Sequence, residues 1–115
     1  MNRIHPDAVF LSLYFWYLKI MTAADFEKTL NEPGPDANWP VQAKALWYDG
    51  KGQWKEAHDL IDQLDDRVSA HIHAYLHRVE GDLWNARYWY NRAKQPEFTG
   101  SLVEEWKALV ERYTD

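Results

Sequence analysis

The chain has 115 residues and a net charge of −5 at pH 7, which is enough length for one domain that buries about two thirds of its unfolded surface. It contains no cysteine, so a disulfide framework and a thiolate metal site are both excluded. Acidic and basic residues are mixed along most of the chain without a basic stripe, and nucleic acid is not an expected partner.

The first segment, Ala8-Val9-Phe10-Leu11-Ser12-Leu13-Tyr14-Phe15-Trp16-Tyr17-Leu18, is apolar on nearly every side and follows Pro6 and Asp7 in a helix-starting arrangement. It is shorter than the roughly 20 apolar residues of a membrane span, and no basic residues sit directly ahead of it as they do in a signal peptide. Three readings stand: a helix packed on the body or in a homodimer, a secretion signal, or a start misassigned ahead of Met21. Residues 1–20 are accordingly read as an appendage, and residues 21–115 as the helical domain, with a cytoplasmic location expected. Thr22 is a good N-cap with Asp25 three residues on.

The next helix is expected over Ala23 to Asn31, ending before Pro33-Gly34-Pro35. Pro40 opens a helix running to about Asp49, and Gly50-Lys51-Gly52 ends it with residues that tolerate positive φ. Gln53 to Leu64 follows as its antiparallel mate. Asp65-Asp66 makes a break and reads as a turn, since adjacent carboxylates rarely point at one site. Val68 to Glu80 forms another helix, and Asp82 caps one that runs to Lys94 before Pro96. Ser101 with Glu104 is a capping box for a last helix, whose Leu102, Trp106, Leu109 and Tyr113 share a face suited to a C-terminal cap. No stretch shows sustained apolar/polar alternation between hairpin turns, so the fold class is all-α with about six or seven helices.

Two of these helix pairs echo each other. With a shift of 29 residues, Gly52 falls on Gly81, Ala57 on Ala86, Ala45 on Ala74, Trp54 on Leu83, Ile61 on Tyr90 and Leu64 on Ala93. Self-similarity at a fixed period marks stacked helical hairpins, each leaving an apolar face that a neighbour must cover.

The pattern resembles the tetratricopeptide-repeat (TPR) family over about half of the chain. Ala74, Gly81-Asp82-Leu83, Ala86, Tyr90 and Ala93 carry the resemblance in the second unit, and Ala45, Tyr48, Gly52, Trp54 and Ala57 in the first. The chain departs from the family in its shorter period, in His73 and His77 at positions usually large and apolar, and in Leu64 in place of the second Ala. The resemblance implies an array of antiparallel hairpins acting as an interaction module without catalysis of its own or any cofactor. It also implies an inner curve lined by the first helix of each hairpin. That curve would present Trp39, Gln42, Leu46 and Asp49 beside His71, Tyr75 and Arg78, an aromatic floor for a protein or peptide partner with Arg78 available to a carboxylate; the alternative is that the N-terminal or C-terminal helix fills this short groove and leaves these residues as core. Seven Trp and seven Tyr exceed the needs of a core this size, and part of that surface is expected to face a partner.

The chemically suggestive cluster is His71-x-His73-x3-His77. His73 and His77 stand one helical turn apart and can share a divalent metal through their imidazoles, while His71 points about 160° away from His73. The alternative to the interaction reading is therefore a small-molecule or metal-binding enzyme using this helix. The structural alternative is that His73 and His77 fill inner positions of the hairpin. His58 and Asp62 form another i, i+4 pair, which a solvated surface pair explains equally well. No nucleophile elbow, phosphate-binding loop or H-E-x-x-H motif occurs, and Ser12, Ser69 and Ser101 have no catalytic setting. A third class is a structural homo-oligomer built on residues 1–20.

Overall fold

A computed structural model describes residues 22–114. Within them the chain is all-helical, with six α-helices and no strand. They are α1 (Ala23–Lys28), α2 (Val41–Gly50), α3 (Trp54–Ile61), α4 (Arg67–Val79), α5 (Leu83–Ala93) and α6 (Leu102–Tyr113). The apolar run at residues 8–18, and with it the readings of residues 1–20 as appendage, signal or dimer contact, lies outside the described residues. No helix among the described residues is long and apolar enough to cross a membrane.

The starts of these helices are local events. Thr22 accepts the Asp25 backbone N–H while the Asp25 carboxylate accepts the Thr22 N–H, at 3.2 and 3.3 Å, so a capping box opens α1. The Asp66 carboxylate accepts the Ser69 N–H to open α4, and the Asp82 carboxylate accepts the Asn85 N–H to open α5. Ser101 and Glu104 form a second capping box at α6. Two expected helices are shorter than their periodicity suggests. The first tightens into a 3-10 turn over Thr29–Asn31, and α3 ends at Ile61, where Leu64 N–H closes a tight turn on the Ile61 carbonyl.

The 29-residue echo has a backbone counterpart. After α2, Gly52 adopts φ 78° and the N–H groups of Gly52 and Gln53 reach back to the carbonyls of Asp49 and Tyr48. After α4, Gly81 adopts φ 82° and the N–H groups of Gly81 and Asp82 reach the carbonyls of Arg78 and His77. Both are Schellman closures with glycine at the left-handed position, and each turns one helix back along its predecessor. Thus α2 packs against α3 and α4 against α5, with further contact of α4 on α2 and α3. Ala45 and Ala74, Ala57 and Ala86, and Ile61 and Tyr90 are buried at equivalent places.

The main core gathers Phe26, Leu46, Trp47, Ile61, Ile72, Leu76, Trp106, Leu109 and Val110. Helix α6 supplies the last three and lies against α1, α2 and α4. Its Trp106 indole N–H donates to the Leu46 carbonyl at 2.9 Å, and its ring packs 5.7 Å from Phe26, which stacks on Trp39 at 5.0 Å. Burying one such aromatic side chain is worth about 1.5–3 kcal/mol, and these contacts decide where α6 sits.

Candidate functional site

Helix α6 occupies the face on which a partner groove was expected. Leu46 is wholly buried beneath Trp106, and Gln42 donates to the Ser69 hydroxyl. Tyr75 donates its hydroxyl to the Asp49 carboxylate at 2.6 Å, and Trp39 is stacked on Phe26. His71 is buried with its Nδ1 2.8 Å from the Tyr113 hydroxyl. Arg78 is held by the Glu105 carboxylate at 2.7 Å and by the Gly100 carbonyl at 2.6 Å. Leu46, His71 and Arg78 thus help to seat α6, whose Trp106, Leu109 and Val110 need an apolar face and whose buried Glu105 needs the guanidinium, while Gln42 and Asp49 tie α2 to α4 and Trp39 packs on α1. Asp49 and Tyr75 also line a cleft at the edge of that contact.

The histidines sort differently from their order along α4. His71 turns to α6, with its ring 5.6 Å from Tyr113 and 6.0 Å from Tyr90. His73 and His77 face α3 instead, stacked on each other at 4.8 Å. There they meet His58, whose ring centroid is 4.8 Å from that of His73 and 5.4 Å from that of His77. One ligand nitrogen from each of His58, His73 and His77 can be chosen so that all lie within 4.8 Å of one another. The Nε2 atoms of His58 and His73 are 3.0 Å apart. The third imidazole therefore comes from α3, a residue that reads as a surface partner of Asp62 when only its own helix is considered.

Each ring has a fixed setting. Trp54 stacks on His58 at 4.7 Å and donates its indole N–H to the Leu76 carbonyl at 2.7 Å, which ties the start of α3 to α4. On the other side Trp89 of α5 stacks on His73 at 4.0 Å. His77 Nδ1 is 2.7 Å from the Glu80 carboxylate, so that its N–H points at Glu80 and its Nε2 lone pair is left for another partner. The Asp62 carboxylate stands 4.0 Å from His58 Nδ1. His73 Nδ1 is buried without a hydrogen-bond partner among the described residues.

The electrostatics keep the central ring neutral. Burial pushes the His73 pKa down to about 3, and the neighbouring His77 and His58 imidazoles push the same way. His71, buried and facing Arg112, is pushed down to about 4. A neutral imidazole carries the lone pair that a metal ion requires, so His73 has that form throughout the neutral range.

Sequence reasoning placed His73 and His77 together but missed His58, Trp54 and Trp89. The signal that was available is the spacing Trp54, Ala57, His58, Ile61, which sets His58 at the border of the apolar face of α3. No family profile, curated protein or solved structure matches this chain.

Proposed function

We propose that this chain is a helical module that binds one divalent transition-metal ion through His58, His73 and His77. The carrying observation is the convergence of three imidazoles from two helices, with ligand nitrogens within 4.8 Å of one another. A tetrahedral zinc-type ion with ligands at about 2.0–2.1 Å separates its nitrogens by about 3.3 Å. The 3.0 Å between His58 and His73 is near that value, and small side-chain rotations bring in His77. Glu80, hydrogen-bonded to His77, is the carboxylate that orients and strengthens an imidazole ligand, and Asp62 adds negative charge 4.0 Å from His58. Imidazole donors without thiolate suit zinc, copper or nickel over calcium or magnesium. Three protein ligands leave a fourth position for water or a solute. Because the ligands join α3 to α4, the ion adds stability to the whole helical body.

The test is titration of the purified chain with Zn²⁺ or Co²⁺, read by elemental analysis and by melting temperature. Metal at 100 times its Kd adds about 2.7 kcal/mol, a shift on the order of 10 °C for a domain of this size. One equivalent bound by the wild type and by His71→Ala, and lost in His58→Ala and His77→Ala, is the expected result. Equal binding by all three variants, or none by the wild type, removes the site.

A second reading, an interaction module related to the tetratricopeptide proteins, is favoured by one observation on a different face. Trp84 and Tyr88, one turn apart on α5, are 73% and 45% exposed, and Arg92 continues the row. Exposed Trp, Tyr and Arg in a row have the composition of a binding hot spot for a protein or peptide. Trp84→Ser and Tyr88→Ser should then lower partner affinity with no change in melting temperature, and unchanged affinity in both would remove this face.

A further inference from the structure

Across Trp54 from the histidines, α1 with the 3-10 turn after it, α2, the start of α3, α4 and α6 leave a cleft of about 370 Å³ between them. Its walls are apolar and aromatic: Leu30, Trp54, Val79 and Trp106 line it, and Leu102 and Val103 stand at its edge on α6. Asp49 breaks this pattern. It is the last acidic residue of α2 and lines the same cleft, with Tyr75 donating to one of its oxygens at 2.6 Å. No cationic side chain among the described residues forms an ion pair with it. Lys107 and Glu27, both exposed, also border the opening.

A half-buried carboxylate held in apolar walls is costly without a counter-charge, and burial raises the Asp49 pKa against the lowering effect of the Tyr75 hydrogen bond. An ionised carboxylate has about four acceptor sites, and Tyr75 takes one. The cleft therefore combines a carboxylate with no ion pair among the described residues, indole and phenol rings beside it, and a hydrocarbon wall, in a volume that suits a small molecule.

We infer that this cleft binds a small organic ammonium ion, with the ammonium group on Asp49 and its hydrocarbon body against Leu30, Val79 and Trp106. The charge-assisted hydrogen bond to Asp49 supplies the preference for a cation, and the apolar walls supply the contact area. The inference stands independently of the metal site.

The discriminating experiment uses two probes of one shape, 2-phenylethylamine and 2-phenylethanol, titrated into the full chain. Binding is read from the indole N–H resonances of Trp54 and Trp106 and by calorimetry. The amine is expected to bind at least about tenfold more tightly than the alcohol, and that preference is expected to vanish in Asp49→Asn, whose amide oxygen still accepts from Tyr75. Val103→Lys, which sets a second cation at the exposed edge of the cleft, should weaken the amine more than the alcohol. Equal binding of the two probes by the wild type overturns the inference, as does a preference that survives both substitutions, or no resonance shift with either probe at about 10 mM.

Discussion

His58 on α3 and His73 on α4 bring their Nε2 atoms to 3.0 Å across the contact between the two helices, although 15 residues of chain separate them. Without a metal, one of the two nitrogens must carry the hydrogen for the other to accept, and the remaining His73 nitrogen is stranded in the core. A buried polar atom without a partner costs about 1–3 kcal/mol, so the imidazoles are held together against a penalty, by their packing against Trp54 and Trp89.

Glu80 tests that arrangement without touching a ligand atom. It receives the His77 Nδ1–H at 2.7 Å and is mostly outside the core. Glu80→Gln should weaken Zn²⁺ affinity by about 10-fold or more, with little change in the melting temperature of the metal-free chain. A competition titration against a chelating dye reads the first quantity, and unchanged affinity would separate Glu80 from the site.

Acid should destabilise the metal-free protein through His71 and His73. Both pKa values are depressed in the folded chain, to about 4 and about 3, from an ordinary value of 6.5. The unfolded chain then binds more protons, so stability is complete above about pH 6.5 and falls with pH through the window down to those values. Each histidine contributes a slope of up to about 1.4 kcal/mol per pH unit within that window. Urea unfolding at a series of pH values should show this loss, and His73→Gln should remove about half of the slope. A flat profile between about pH 6 and pH 4 would mean that the rings are hydrated.

Arg78 should prove indispensable for folding. Glu105 is 1% exposed and accepts from Arg78 at 2.7 Å and from the Tyr90 hydroxyl at 2.6 Å, joining α4, α5 and α6. Arg78→Ala leaves that carboxylate buried without its cation and should cost about 3–5 kcal/mol, a large part of the stability of a domain this size. Glu105→Gln keeps an acceptor for Tyr90 without a stranded charge and should cost less. Denaturant midpoints of the two variants give the comparison, and a near-neutral Arg78→Ala would show that water reaches Glu105.

Lys94 closes α5 in the left-handed conformation, with φ 57° and the same pair of backward hydrogen bonds that Gly52 and Gly81 make after α2 and α4. A side chain in that conformation costs about 1–2 kcal/mol. Lys94→Gly should raise stability by about 0.5–1 kcal/mol after the added freedom of the unfolded chain is counted, whereas Gly81→Ala should lower it by about 1 kcal/mol. Thermal melts of both decide the point.

Much of the helical framework was legible because its causes are local. Thr22, Asp82 and Ser101 cap the backbone N–H groups three residues ahead of them, and Gly52 and Gly81 close helices through bonds spanning five residues, whereas Asp66 read as a break and not as the cap it forms on α4. The pairing of α2 with α3 and of α4 with α5 follows from those turns. That a terminal helix could fill the expected groove was legible as an alternative, but nothing near Leu46 or Arg78 in the chain says that it is Trp106 and Glu105 of α6 that meet them. His58 was hidden for the same reason: a histidine four residues before Asp62 looks like a surface pair until α3 is laid on α4.

By itself, the sequence determined the all-α class, the helix caps and the two glycine closures, because capping and turn conformation depend on residues within about one helical turn. The tertiary structure alone decided which face α6 covers, which histidines meet, and that Asp49 lines a cleft without a described counter-charge. Those outcomes depend on side chains brought together from distant segments, and a choice among alternative packings of similar apolar faces rests on fit and on satisfied buried polar groups, not on local propensity.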